Sequence, residues 1–181
     1  MPEENNQPNR SNSDSSQTIG KKMMIIAWVF ALALLTWMFS SMENKQINPN
    51  NSPSSYYSQD AIEVSLKRNR YGHYLVSGEV NQQEALFILD TGATVVAVPG
   101  ELQTELGLTR GRQHYSNTAN GTTKAYSTTI KQLDIGDITL YNVNASIIPN
   151  MQGREILLGM SALKQLEFSQ KGNQLTLRQL N

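Results

Sequence analysis

Residues 86–96 read Leu86-Phe87-Ile88-Leu89-Asp90-Thr91-Gly92-Ala93-Thr94-Val95-Val96. One acid and one glycine sit between two apolar runs, 86–89 and 95–98. Short apolar runs without polar alternation suit strands buried on both faces. Asp90 is therefore expected at the tip of a buried strand, with Gly92 in the turn that follows. A carboxylate there has to be well hydrogen-bonded or share its proton, because an isolated buried charge is very costly. Asp-Thr-Gly is also ordinary turn chemistry, so the tripeptide decides little and its setting decides much.

Outward from this stretch the patterns are short and two-periodic. Ile62, Val64 and Leu66 alternate, as do Tyr74, Val76, Gly78 and Val80. Asn120-Gly121 is a strong hairpin signal, since both positions of a type I′ turn want positive φ. Its flanks, 113–119 and 122–130, are rich in Thr, Ser and Tyr, as an exposed hairpin requires. Further strands are predicted over 131–135, over 138–148 after a Gly136-Asp137 turn, over 155–158, and over 174–178 after Lys171-Gly172-Asn173. Two helices are expected. One spans 99–106, with Pro99 at its start, Glu101 in its first turn and Gly107 as its stop; the other spans 161–166, with Ser161 as N-cap. The spacing predicts an all-β domain of about eight short strands with no βαβ rhythm.

Two signatures in this order resemble those of the retropepsin-like aspartic proteases, and of their bacterial, membrane-anchored, single-lobe branch in particular. Leu89-Asp90-Thr91-Gly92-Ala93-Thr94 is similar to the family's hydrophobic-Asp-Thr-Gly-Ala motif. Glu155-Ile156-Leu157-Leu158-Gly159-Met160-Ser161-Ala162-Leu163 is similar to the hydrophobic-hydrophobic-Gly motif that leads into the family's short helix. The Asn120-Gly121 hairpin falls between them, where the family carries its flap. The resemblance covers 61–181 and implies a single-lobe acid-protease β-barrel with one or two short helices.

The resemblance also implies roles. Asp90 would be the catalytic carboxylate, and Thr91 would hydrogen-bond across a subunit boundary. Gly92 and Ala93 would form the tight loop beside the carboxylate, Gly159 would permit close packing beneath it, and Asn120 and Gly121 would sit at the flap tip over substrate. Met160-Ser161 departs from the Arg followed by Asn or Asp of retroviral members, which weakens the expected dimer. No second Asp-Thr-Gly or Asp-Ser-Gly occurs in the chain, so a working site needs two copies. The implied activity is an endopeptidase in which an Asp pair activates water, with no cofactor and no metal. The alternative is a catalytically silent peptide-binding or scaffolding module on the same fold, holding an extended peptide by strand addition. An actin-like phosphate loop would need two large α/β lobes, which about 120 residues poor in helix cannot build.

Composition narrows the remaining classes. The 181 residues carry 15 Lys+Arg against 15 Asp+Glu, no cysteine and two isolated histidines, His73 and His114. Zero net charge without a basic cluster argues against nucleic-acid binding. Disulfides, thiolate metal sites and Cys nucleophiles are excluded. Asp134 and Asp137 bracket a turn and are expected to be solvated. Ahead of the domain, 1–22 is polar and expected to be a disordered cytoplasmic tail. Residues 23–39 carry no charge and are expected to form a transmembrane helix, with Lys21 and Lys22 at one end. The Asn-, Ser- and Pro-rich 40–60 reads as a flexible linker. Basic residues ahead of the span place the N-terminus inside and the domain 61–181 on the periplasmic or extracellular side of the inner membrane. The expected partners are a second copy of the chain, a peptide or protein substrate, and the lipid bilayer through 23–39.

Overall fold

A computed structural model describes residues 13–118 and 121–180. It contains two compact units, Met1–Glu43 and Asn44–Asn181. In the second unit a run of strands closes on itself. The strands are β1 (Ser54–Tyr57), β2 (Ala61–Lys67), β3 (Leu75–Val80), β4 (Gln83–Leu89), β5 (Val96–Pro99), β6 (Gln113–Thr118), β7 (Gly121–Ile135), β8 (Ile138–Ile148), β9 (Glu155–Leu158), β10 (Glu167–Lys171) and β11 (Gln174–Leu180). One sheet has the order β3-β4-β9-β5-β8-β7-β6, and β3 also pairs with β7. That last pairing, Glu79↔Asp134 and Val80↔Leu133, closes six strands into a barrel and leaves β6 as an edge beyond β7.

Closure depends on Gly78, because a Cβ there would overlap the carbonyl oxygen of Asp134 and crowd the Phe87 ring. Val76, Phe87, Val96, Val98, Ile147, Ile156 and Leu158 are fully buried inside. The strands of the Asp90 stretch, β4 and β5, run parallel to β9 and β8 respectively. Parallel pairs need long connections: the β6–β7 hairpin supplies the one between β5 and β8, and β5 through β8 supply the one between β4 and β9.

A second sheet has the order β1-β2-β11-β10, all antiparallel. It draws on residues expected elsewhere. Ser54–Tyr57, read as linker, pairs with β2 through Tyr57↔Ile62. Two bonds fix it, from Asp137 N–H to Ser55 Oγ (3.0 Å) and from Tyr57 Oη to the Asp137 carboxylate (2.7 Å). Asp137 is thus bonded as well as exposed. Asp134 is half-buried and accepts from Thr139 Oγ1 at 2.7 Å. Among the described residues there are eleven strands rather than about eight. The two predicted over 122–135 are one continuous β7, because nothing in that stretch breaks an extended chain.

Both predicted helices are shorter than expected. Pro99 ends β5, and only a 3-10 turn, η1 (Gly100–Leu102), follows it. A single α-turn, α2 (Met160–Leu163), replaces 161–166. Its N-cap position is Gly159, with no side-chain capping bond, so Ser161 lies inside the helix instead of capping it.

The described residues of the first unit all lie in one helix, α1 (Ser13–Ile47), whose last four residues count with the second. Residues 13–22 of the expected tail belong to it, and residues 1–12 lie outside the described residues. Lys22–Phe39 is long and apolar enough to cross a membrane, with mean hydropathy 1.9 and none of its residues buried. A membrane span and a signal sequence share that length and composition.

Candidate active site

Asp90 follows the last residue of β4. Its backbone N–H donates to Leu158 O at 3.2 Å, which extends the parallel β4–β9 pairing one step past Leu89↔Leu158. Leu89 N–H donates to Tyr74 O at 3.0 Å, so the strand tip is held from both sides. The chain then turns tightly, with Ala93 N–H on Asp90 O at 3.2 Å and Gly92 N–H on Asp90 Oδ1 at 2.9 Å. The carboxylate is half-buried and has one backbone donor fixing one oxygen. Thr91 is exposed, and among the described residues its hydroxyl has no hydrogen-bond partner.

The loop rests on the turn after β9. Met160 N–H donates to Ala93 O at 2.8 Å and Ser161 N–H to Thr94 O at 3.0 Å. Gly159 is buried where a Cβ would overlap Val95 O and stand 2.7 Å from Ala93 O. The two signatures of the sequence are therefore one structure, a loop seated on a glycine turn. Ser161 completes the seat. Its buried hydroxyl donates to Asn144 O at 2.6 Å and receives the Val96 N–H at 3.0 Å, tying β5 to β8 beneath the loop. Both backbone groups meet at one hydroxyl, which accounts for a buried polar side chain there.

A small apolar cluster lies on the outer face of the barrel wall. Ala97, Ala125 and Ile148 are buried, with half-buried Met151 and Leu157 against them. Ala97 pairs with Leu157, and Leu157 pairs with Ile88. Asp90 comes two residues after Ile88, so strand alternation carries it to the same face. None of these apolar residues is marked by the sequence, since continuous apolar runs hide which members face outward.

The β6–β7 hairpin brings Thr118 opposite Gly121, with Thr118 Oγ1 donating to Gly121 O at 2.8 Å. Gly121 is exposed at φ +104°; Asn120 lies outside the described residues. At the base of the hairpin, half-buried His114 bonds Ser146 Oγ at 3.2 Å, while His73 is exposed. Among the described residues no group of His, Asp and Glu could hold a metal ion. A concavity of about 1060 Å³ lies against β3 and β4 and is lined in part by Ser77, Glu79, Glu84, Asp134 and Arg154. It contains neither Asp90 nor its loop.

Comparison with known proteins agrees with this geometry. Residues 76–165 match the family described as "gag-polyprotein putative aspartyl protease". The crystal structure of a retropepsin-like aspartic protease from Rickettsia conorii superposes with a TM-score of 0.57 at 28% identity, covering 69% of this chain and 98% of that one. The chain belongs to the retropepsin-like aspartic protease family. An uncharacterized protein from the cobV 5′ region of a Sinorhizobium species is 30% identical over 125 residues, 67% of this chain and 54% of that protein. An uncharacterized protein of Rickettsia prowazekii is 29% identical over 119 residues, 64% of this chain and 50% of its own length. The chain spans about half the length of these curated relatives. The matched segment of the retropepsin-like family begins in β3 and ends just past α2, and so contains both the Asp90 loop and its seat.

Proposed function

We propose that this retropepsin-like chain is an aspartic endopeptidase whose site forms when two copies bring their Asp90 loops together. The observation that carries this reading is a single Asp90 on a rigidly seated loop, open to solvent beside it at an unpartnered Thr91, in a chain without a second Asp-Thr-Gly. Two carboxylates a few ångströms apart cannot both ionise easily, so the pair holds one proton between them. The ionised member takes a proton from a bound water, whose oxygen attacks the scissile carbonyl. The protonated member donates to the developing oxyanion. Collapse breaks the C–N bond, and the departing nitrogen takes up a proton from the pair. In this reading Thr91 bonds across the boundary, Gly92 and Ala93 shape the loop, and the hairpin carrying Asn120 and Gly121 covers the substrate. The apolar face around Leu157 and Ala97 suits a substrate with apolar side chains flanking the cleaved bond.

The full-length protein in detergent, incubated with a peptide library over a pH series, is expected to cleave extended, apolar-centred peptides. The rate should follow a bell-shaped profile centred below neutral pH, because the active pair carries one proton. Peptide binding without cleavage at any pH would leave only a scaffolding module.

Residues 23–39 are proposed to anchor the chain in the inner membrane with its N-terminus inside. Confinement to a bilayer raises effective concentration and lets a weak dimer suffice. Protease added to spheroplasts should remove the C-terminal domain while leaving cytoplasmic markers intact. A shielded domain would reverse the orientation, and a mature N-terminus just past residue 39 would identify a cleaved signal instead.

A further inference from the structure

The connection from β2 to β3 reads Lys67-Arg68-Asn69-Arg70-Tyr71-Gly72-His73. Asn69 is buried within it, and its Oδ1 accepts the N–H groups of Tyr71 (3.0 Å) and His73 (2.9 Å). Its Nδ2 donates to the carbonyl oxygen of Ile47, the last residue of α1, at 3.0 Å. Buried Asn50 holds both ends of the same loop. Its Oδ1 accepts Lys67 N–H at 2.6 Å, and its Nδ2 donates to Lys67 O at 2.9 Å and to Leu75 O. Arg70 Nη1 reaches back to Gln46 Oε1 at 3.3 Å. Residues 46–50, expected as part of a flexible linker, are therefore fastened to this loop.

Three segments meet at this end of the β1-β2-β11-β10 sheet, because Arg68 N–H donates to Asn173 O at 2.8 Å and Lys67 pairs with Gln174. Residues 46–53, 67–74 and 171–174 together carry Lys67, Arg68, Arg70 and Lys171, and no acid. All four cations are exposed, and none is in an ion pair among the described residues. The acids Glu79 and Glu84 stand opposite each other four positions past Leu75, about 13 Å further along β3. In a chain of zero net charge this is a segregated basic face. Exposed Tyr71 carries the Arg70 guanidinium 4.8 Å from its ring centre. A ring with one polar end suits the boundary between water and lipid.

We propose that this basic, tyrosine-bearing face rests on the anionic phosphate headgroups of the bilayer beside the point where the chain enters it. The proposal rests on the reading of 23–39 as an anchor. From Phe39 to Ile47 the continuing helix α1 rises about 12 Å. The headgroup layer extends roughly 5–7 Å past the hydrocarbon, and the negative surface potential reaches about 8–10 Å further at ordinary salt. The four cations, held to the end of α1 by Asn69 and Asn50, fall within that field. Arginine forks match phosphate oxygens two at a time. A soluble acidic partner would fit the same charges, but only a bilayer explains why they gather at the foot of the anchor.

The chain has no cysteine, so an introduced one carries a single fluorophore. Full-length His73→Cys and Gln59→Cys are labelled and reconstituted in vesicles with a nitroxide-headgroup lipid in both leaflets. Gln59 is exposed in the β1–β2 turn, at the far end of β2, about 20 Å away. In phosphatidylcholine–phosphatidylglycerol vesicles the probe at residue 73 is expected to be quenched at least about threefold more than the probe at residue 59, and in phosphatidylcholine alone the difference should vanish. Each cation beside an anionic surface strengthens contact about fivefold, so combining Lys67→Gln, Arg70→Gln and Lys171→Gln should weaken it about a hundred-fold. Raising salt from ~0.1 M to ~1 M on the unsubstituted face should do the same, as the screening length falls from about 10 Å to about 3 Å. Protein that floats with both vesicle types, but is quenched equally at residues 59 and 73 or without regard to lipid charge, keeps its anchor and overturns the basic face. Protein that floats only with the phosphatidylglycerol mixture, and is stripped from it by salt, keeps the basic face and overturns the anchor. Failure to float with either overturns both.

Discussion

Replacing Asp90 with Asn is expected to lower peptide cleavage by at least about a hundred-fold, and by up to ~10⁴-fold, the range a positioned acid or base contributes. Asn keeps the shape of the side chain and its Oδ1 can still accept the Gly92 N–H, now 2.9 Å away. It removes only the ionisable proton. Thermal unfolding should therefore change little while turnover collapses, which separates loss of chemistry from loss of fold. A variant that loses activity and unfolding temperature together would place Asp90 among structural turn acids.

The same substitution tests the assembly. When wild-type chains at fixed concentration exchange with a ninefold excess of Asp90→Asn chains, about one tenth of them remain paired with wild type under random association. Turnover should then fall to about that fraction, since a shared-proton pair lacking one carboxylate has no poised acid and base. A monomeric enzyme would keep its full rate. Undiminished turnover after verified subunit exchange would rule out the two-copy mechanism.

How much of this was legible in the sequence follows from where burial leaves a mark. Strands β2 to β5, β8, β9 and β11 show either alternation or an unbroken apolar run, and each was visible before the fold was known. β10 has all five residues exposed, so no period records it. β1 offers two tyrosines, both exposed, inside an Asn- and Ser-rich stretch, and its order comes from Asp137, about eighty positions away in the chain. The Asp90 loop was legible because its acid, glycine and flanking strands are contiguous. Ser161 was not. A serine before an apolar run looks like an N-cap, but its hydroxyl serves Asn144 and Val96, 17 and 65 residues away. Local sequence carries no trace of partners at that distance.

Gly159→Ala should be the most disruptive single-methyl change at the site. The added Cβ would overlap the carbonyl oxygen of Val95 and lie 2.7 Å from that of Ala93, and both are backbone atoms that no rotamer change can move. Relief requires the turn after β9 to retreat from the Asp90 loop. That retreat stretches the bonds from Met160 N–H to Ala93 O (2.8 Å) and from Ser161 N–H to Thr94 O (3.0 Å), and with them the hold on Asp90. Overpacking of this kind is destabilising by about 1–3 kcal/mol, which lowers the unfolding midpoint by roughly 3–15 °C for a unit of this size. Gly92→Ala is the contrast. Its Cβ would meet only Asp90 Oδ1, at 3.2 Å, so stability should shift by about 0.5 kcal/mol or less while cleavage falls because the carboxylate turns away. Melting curves and cleavage rates measured on both variants separate the two effects. An unchanged midpoint for Gly159→Ala would mean that the loop does not rest on this turn, and the structural link between the two signatures would be lost.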